Sequence, residues 1–130
     1  MVAPVPGRCA WRTFTTSDGL AGLKVSAIVE DQSGTFWFAT EFGLTRSNGV
    51  AWSTLSAGAE LPGSEVTSIL EDRAGNLWFG TRSGLARFDG TSWKTFHAPA
   101  ELTSADVRCL FQDRHGNVWV GTSYGACRYD

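Results

Sequence analysis

Sliding the chain against itself by 41 residues brings Trp11 onto Trp52 and Trp93, and Trp37 onto Trp78 and Trp119, with no gap anywhere. The same shift superposes Thr13, Leu20, Val25, Asp31, Gly34, Thr40, Gly43 and Arg46 on identical residues in both later copies. Such a chain folds as copies of one unit, and each unit relies on its neighbours for most of its buried surface. The copies differ elsewhere, as at Phe42, Ser83 and Tyr124, so the repeat is old and diverged.

Within one copy the pattern reads as four short strands. Glu65-Val66-Thr67-Ser68-Ile69-Leu70-Glu71 is rich in β-formers, Asp72-Arg73-Ala74-Gly75-Asn76 is turn chemistry, and Leu77-Trp78-Phe79-Gly80-Thr81 is a second strand. Leu85-Ala86-Arg87-Phe88 follows, then an Asp89-Gly90 turn, then Ser92-Trp93-Lys94-Thr95-Phe96. No segment keeps helical spacing for three turns, and six Trp with 15 Gly suit flat side chains set between tight turns. Four strands in a repeat of roughly 40 to 45 residues is the size of a propeller blade. Apolar residues on both faces of runs such as Phe36-Trp37-Phe38-Ala39 suit sheets covered on both sides. The predicted fold is therefore all-β: a β-propeller with three four-stranded antiparallel blades per chain. Residues 1–10 read as an N-terminal extension, with repeats over 11–51, 52–92 and 93–130.

The run Glu71-Asp72-Arg73-Ala74-Gly75-Asn76-Leu77-Trp78-Phe79-Gly80-Thr81, continued by Ser83-Gly84-Leu85-Ala86-Arg87-Phe88-Asp89, resembles the two-component regulator propeller repeat. Gln112-Asp113-Arg114-His115-Gly116-Asn117-Val118-Trp119-Val120-Gly121-Thr122 matches it as well, and the first copy departs at Thr35 and Ala39. The resemblance implies the periplasmic sensor part of bacterial hybrid histidine kinases, many of which respond to polysaccharide fragments. It thus implies a binding or scaffolding role and a periplasmic or extracellular location.

Composition narrows the partners. With 18% charged residues, a net charge of -2 and both signs interspersed, nothing favours nucleic acid or an anionic membrane. No apolar run nears the roughly 20 residues that cross a bilayer, and the first residues lack a secretion signal. Cys9, Cys109 and Cys127 are odd in number and lack C-x-x-C spacing, so neither a disulfide framework nor a zinc site is expected.

Ring closure suggests the first partner, the chain itself. Trp11-Arg12-Thr13-Phe14 has the sequence of an outermost strand, and the third repeat stops at Cys127-Arg128-Tyr129-Asp130, before the next outermost strand. A head-to-tail homo-oligomer would hide the outer blade faces, with residues 11–15 completing a neighbour's third blade in trans. Six blades from a dimer are preferred over nine from a trimer, since propellers mostly run from four to eight. A segment of a longer propeller is the remaining reading.

For chemistry, Asp31/Gly34, Asp72/Gly75 and Asp113/Gly116 read as turn residues in preference to calcium loops, and no metal or cofactor is expected. Thr40, Thr81 and Thr122 read as buried hydroxyls bonded to a neighbouring strand or to that Asp. Arg46, Arg87 and Arg128 read as strand residues. His97 and His115 occupy unrelated places in their repeats, and no nucleophile, paired carboxylate or phosphate loop accompanies them, so a non-enzymatic binding module is expected. Its ligand site belongs on the loop face, where copies diverge: Glu41 and Phe42, Arg82 and Ser83, Ser123 and Tyr124, with Lys24, Glu65 and Asp106 in the longer connections. The alternative is a multivalent oligosaccharide binder stacking sugars on Trp11, Trp52 and Trp93. Trp37, Trp78 and Trp119, inside apolar strands, are expected in the core.

Overall fold

The computed structural model describes residues 11–55, 60–98 and 101–129; the predicted extension over 1–10, with Cys9, lies outside them. The described residues form three antiparallel sheets. The first contains β1 (Val25–Glu30), β2 (Phe36–Thr40), β3 (Gly43–Ser47) and β4 (Trp52–Leu55), in that order. The second repeats this with β5 (Val66–Glu71), β6 (Leu77–Thr81), β7 (Gly84–Phe88) and β8 (Trp93–Phe96). The third has β9 (Val107–Gln112), β10 (Val118–Thr122) and β11 (Gly125–Tyr129). The first and second sheets take their outermost strands, β4 and β8, from the start of the next sequence repeat, so sheets and sequence repeats are one strand out of phase. Residues 11–15 form no strand within their own chain.

The sheets approach one another most closely along β1, β5 and β9, which are the inner strands of three fanned blades. Two cores result, one in each gap. Trp37, Ala39 and Leu44 of the first blade pack with Val66, Leu77 and Phe79 of the second. Trp78 and Leu85 of the second pack with Val107, Val118 and Val120 of the third. Leu61 and Leu102, from the connections entering blades two and three, seal these cores.

Trp119 departs from expectation. Its counterparts Trp37 and Trp78 are 2% and 1% exposed, whereas Trp119 is 38% exposed, because among the described residues no sheet lies against the far face of the third blade. Phe111 on that face and Ile28 and Phe36 on the near face of the first blade are uncovered for the same reason. Thr122 is likewise half-buried, where Thr40 and Thr81 are fully buried.

Candidate functional site

One constellation recurs in every blade. The Asp that opens the first hairpin turns one carboxylate oxygen to two backbone N–H groups, Ala74 at 3.0 Å and Asn76 at 2.9 Å in the case of Asp72. Its other oxygen accepts the indole N–H of the blade's Trp: Trp37 to Asp31 at 2.8 Å, Trp78 to Asp72 at 2.9 Å and Trp119 to Asp113 at 2.8 Å. The Gly that closes the turn sits at φ +87°, +90° and +90° at Gly34, Gly75 and Gly116, a region that a side chain disfavours. The repeated Arg then lies over the Trp ring, with its guanidinium carbon 5.6, 5.3 and 5.8 Å from the centroid for Arg46, Arg87 and Arg128. These Asp oxygens are committed to holding a turn and an indole. Thr40, Thr81 and Thr122 donate across the β2–β3-type turn to the carbonyls of Gly43, Gly84 and Gly125, and not to the Asp.

Hydrogen bonding sets the charge state of these carboxyls. At Asp113 the indole hydrogen bond from Trp119 leads, aided by the backbone of Asn117 and His115 against desolvation, and holds the pKa at about 2 instead of 3.8. At Asp31 desolvation is the largest influence and works upward, but hydrogen bonds from Ser33, Trp37 and Thr35 outweigh it and the pKa is lowered.

The antiparallel meander sends each β2–β3-type turn and the entry to each innermost strand to the same end of its blade. The loop candidates therefore share one face. Arg82 bridges blades two and three, with its guanidinium 3.7 Å from the Glu65 carboxylate and 3.6 Å from that of Asp106, while Arg108 reaches Asp106 at 2.8 Å. The backbone repeats the pattern, since Arg82 N–H donates to Glu65 O at 3.2 Å and Ser123 N–H to Asp106 O at 3.0 Å. Lys24 N–H donates to the Glu41 carboxylate at 3.1 Å, and the Ser104 and Ser123 hydroxyls lie 3.2 Å apart. Ser83 donates its N–H to the Thr81 hydroxyl, and its side chain abuts Gly63. Phe42 and Tyr124, at the turn tips, are 66% and 83% exposed. Arg108, the second residue of β9, was not a loop-tip candidate; its place opposite Asp106 is the part of this network that sequence reading missed.

The Trp residues considered for sugar stacking separate. Trp93 lies on Phe88 with ring centroids 4.6 Å apart, and Trp52 on Phe38 at 5.5 Å, so both have a face occupied. Trp11 is 98% exposed. None of the three lines a cavity of about 550 Å³ at the opposite end of the gap between blades one and two, among Asp31, Trp37, Arg46, Asn48, Glu71 and Phe88. The matching gap between blades two and three is bolted by Arg73, which donates to the carbonyls of Asp113 and Arg114 at 2.8 and 3.0 Å, and by Arg87 bonded to Tyr129. Gln32 and Phe88 stand at the places of Arg73 and Tyr129 in the open gap. No helix among the described residues is long and apolar enough to cross a membrane, and no group of His, Cys, Asp or Glu among them is arranged to hold a metal ion.

Comparison with known proteins follows the same architecture. The family profile described as two component regulator propeller matches residues 19–42, 60–83 and 101–124, more than half of the chain. Among solved structures, the extracellular domains of two hybrid two-component systems from B. thetaiotaomicron superpose with TM-scores of 0.78 and 0.68 at 21% and 22% identity. They cover 92% and 93% of this chain, which spans 17% of each of theirs. A streptogramin B lyase superposes at 0.60 with 12% identity over 86% of this chain and 42% of its own. No curated protein sequence matches the chain. At these identities the structural likenesses establish the β-propeller fold.

Proposed function

This chain belongs to the two-component regulator propeller family, and on that footing we propose that it is a non-enzymatic, ligand-receiving segment of a periplasmic or extracellular sensor propeller, binding its ligand on the loop face. The observation that carries this reading is the Glu65–Arg82–Asp106–Arg108 network. It ties two blades together at the face where the copies diverge, and Ser123, next in sequence to the exposed Tyr124, donates its N–H to Asp106 O. A ligand that displaces one arm of the network would change the contact between the two blades and so favour one arrangement of them over another. The extracellular provenance of the hybrid-system neighbours supports the location.

The test is a glycan array followed by calorimetry on any hit. Arg82→Ala and Tyr124→Ala are expected to weaken binding at least about tenfold, as loss of a charged or aromatic anchor does, while thermal unfolding stays within a few degrees of the parent. Undiminished binding by both variants excludes the loop face.

The cavity of about 550 Å³ favours a second reading, a carbohydrate held between blades one and two by Arg46, Asn48 and Glu71. Binding lost in Arg46→Ala but retained in Arg82→Ala would select it.

A further inference from the structure

We propose that the cavity between blades one and two receives a guanidinium compound that also carries a carboxylate, of which free arginine is the simplest. The inference is independent of the loop face and stands against a carbohydrate in the same cavity.

The adjacent gap supplies the pattern for the occupant. Between blades two and three, Arg73 donates to the carbonyls of Asp113 and Arg114 at 2.8 and 3.0 Å, and Gln112 Nε2 donates to Gly116 O at 3.1 Å. One repeat earlier, the carbonyls of Asp72, Arg73 and Gly75 hold the same places at the first gap, and none of those donors is present. Gln32 stands for Arg73 and Glu71 for Gln112. Gln32 is neutral and shorter, and its amide lies beside Gly75 without a hydrogen bond among the described residues. Glu71 accepts the Gln32 N–H on Oε2 at 3.0 Å, as Gln112 accepts the Arg73 N–H at 3.0 Å, but a carboxylate has no hydrogen to give to Gly75 O. The first gap therefore holds a surplus of acceptors, with a negative charge where its counterpart carries a neutral amide.

The balance of charge agrees. The ionised groups lining the cavity are Asp31, Glu71 and Arg46, and the Asp31 carboxylate is already engaged by the Trp37 indole and its own turn. At the equivalent places in the second gap stand Asp72, Asp89, Arg73, Arg87 and Lys94. A planar guanidinium brings five N–H donors and a positive charge, and it is the group that closes the neighbouring gap. Arg46 supplies the other half of the site. Its counterpart Arg87 donates to the Tyr129 hydroxyl at 3.2 Å, whereas Phe88 replaces that tyrosine in the first gap. Arg46 is held through Nε on Ser53 Oγ at 3.2 Å and by the Trp37 ring, which leaves its Nη groups for a carboxylate at the far end of the ligand. A volume of about 550 Å³ has room for such a molecule, with its carbon chain against Leu77 and Phe88.

The experiment titrates L-arginine into the whole chain and follows amide and indole N–H chemical shifts. Binding is expected with a Kd of about 1 mM or tighter, and with shifts gathered at Gln32, Asn48, Gly75 and the Trp37 indole. L-Citrulline, of the same length but with a neutral urea, is expected to bind at least about tenfold weaker, and agmatine, which lacks the carboxylate, about threefold weaker. Glu71→Gln copies Gln112 and is expected to weaken arginine binding about tenfold. Gln32→Arg copies Arg73, closes the gap from within, and is expected to abolish binding while raising the thermal midpoint. Silence of these resonances at about 10 mM L-arginine overturns the inference. So does citrulline or agmatine binding as tightly as arginine, or arginine binding undiminished in both variants. A neutral sugar that moves the same resonances while arginine does not overturns it in favour of the carbohydrate.

Discussion

At Gly80 a methyl group would collide with the Ser68 hydroxyl and come within 2.6 Å of Val107 Cγ1, on the next blade. The paired positions are Ala39 with Ala27 in the first blade, Gly80 with Ser68 in the second and Gly121 with Cys109 in the third. The larger residue on the second strand is admitted only where the innermost strand carries the smaller one. Gly80→Ala is accordingly expected to destabilise the chain by about 1–3 kcal/mol in denaturant unfolding, and adding Ser68→Ala to recover part of it. The Asp113 carboxyl sets a pH dependence of known sign. Its folded pKa of about 2 lies below the ordinary 3.8, so its contribution is complete above pH 3.8 and drains away as the pH falls toward 2. Trp119→Phe removes the leading hydrogen bond, and the carboxyl, followed by NMR, is expected to titrate closer to 3.8. An unchanged titration in that variant would refute the assignment.

Among elements, the turn between β6 and β7 depends on one hydroxyl. Thr81 donates to Gly84 O at 2.9 Å and accepts the Ser83 N–H at 3.1 Å, and it is fully buried. Thr81→Val keeps the shape and strands both backbone groups, so a loss of about 1–3 kcal/mol is expected in thermal or chemical unfolding. Thr122→Val, at the half-buried copy of the same turn, is expected to cost less because water can replace the hydroxyl there. The strands were legible from the repeat to within a residue or so: the expected Leu85-to-Phe88 strand is Gly84–Phe88, and the expected strand over 65–71 is Val66–Glu71. Short apolar runs bounded by Asp-x-x-Gly turns leave little latitude for register.

For the whole molecule, equivalent residues are not equivalent in energy. Trp78→Ala removes a side chain packed from both sides and is expected to cost about 3–5 kcal/mol, whereas Trp119→Ala in the single chain is expected to cost clearly less. Arg82→Ala, by contrast, removes half-exposed ion pairs and is expected to change stability by no more than about 1 kcal/mol, so any larger effect on ligand binding belongs to the site itself.

Sequence alone determined the period of 41, the four-stranded unit, the number of copies and the turn role of the repeated Asp and Gly. Each of these is carried by local pattern, and local pattern is what a linear reading contains. The divergent loop residues were also visible as a set, but their union through Arg82, Asp106 and Arg108 was not, because it joins side chains from two blades. The same holds for the open gap between blades one and two, the bolt formed by Arg73 across the next, and the stacking of each Arg on its Trp. Burial was decided only by the fold: Trp37, Trp78 and Trp119 are identical by repeat, and the presence or absence of a covering sheet is what separates them.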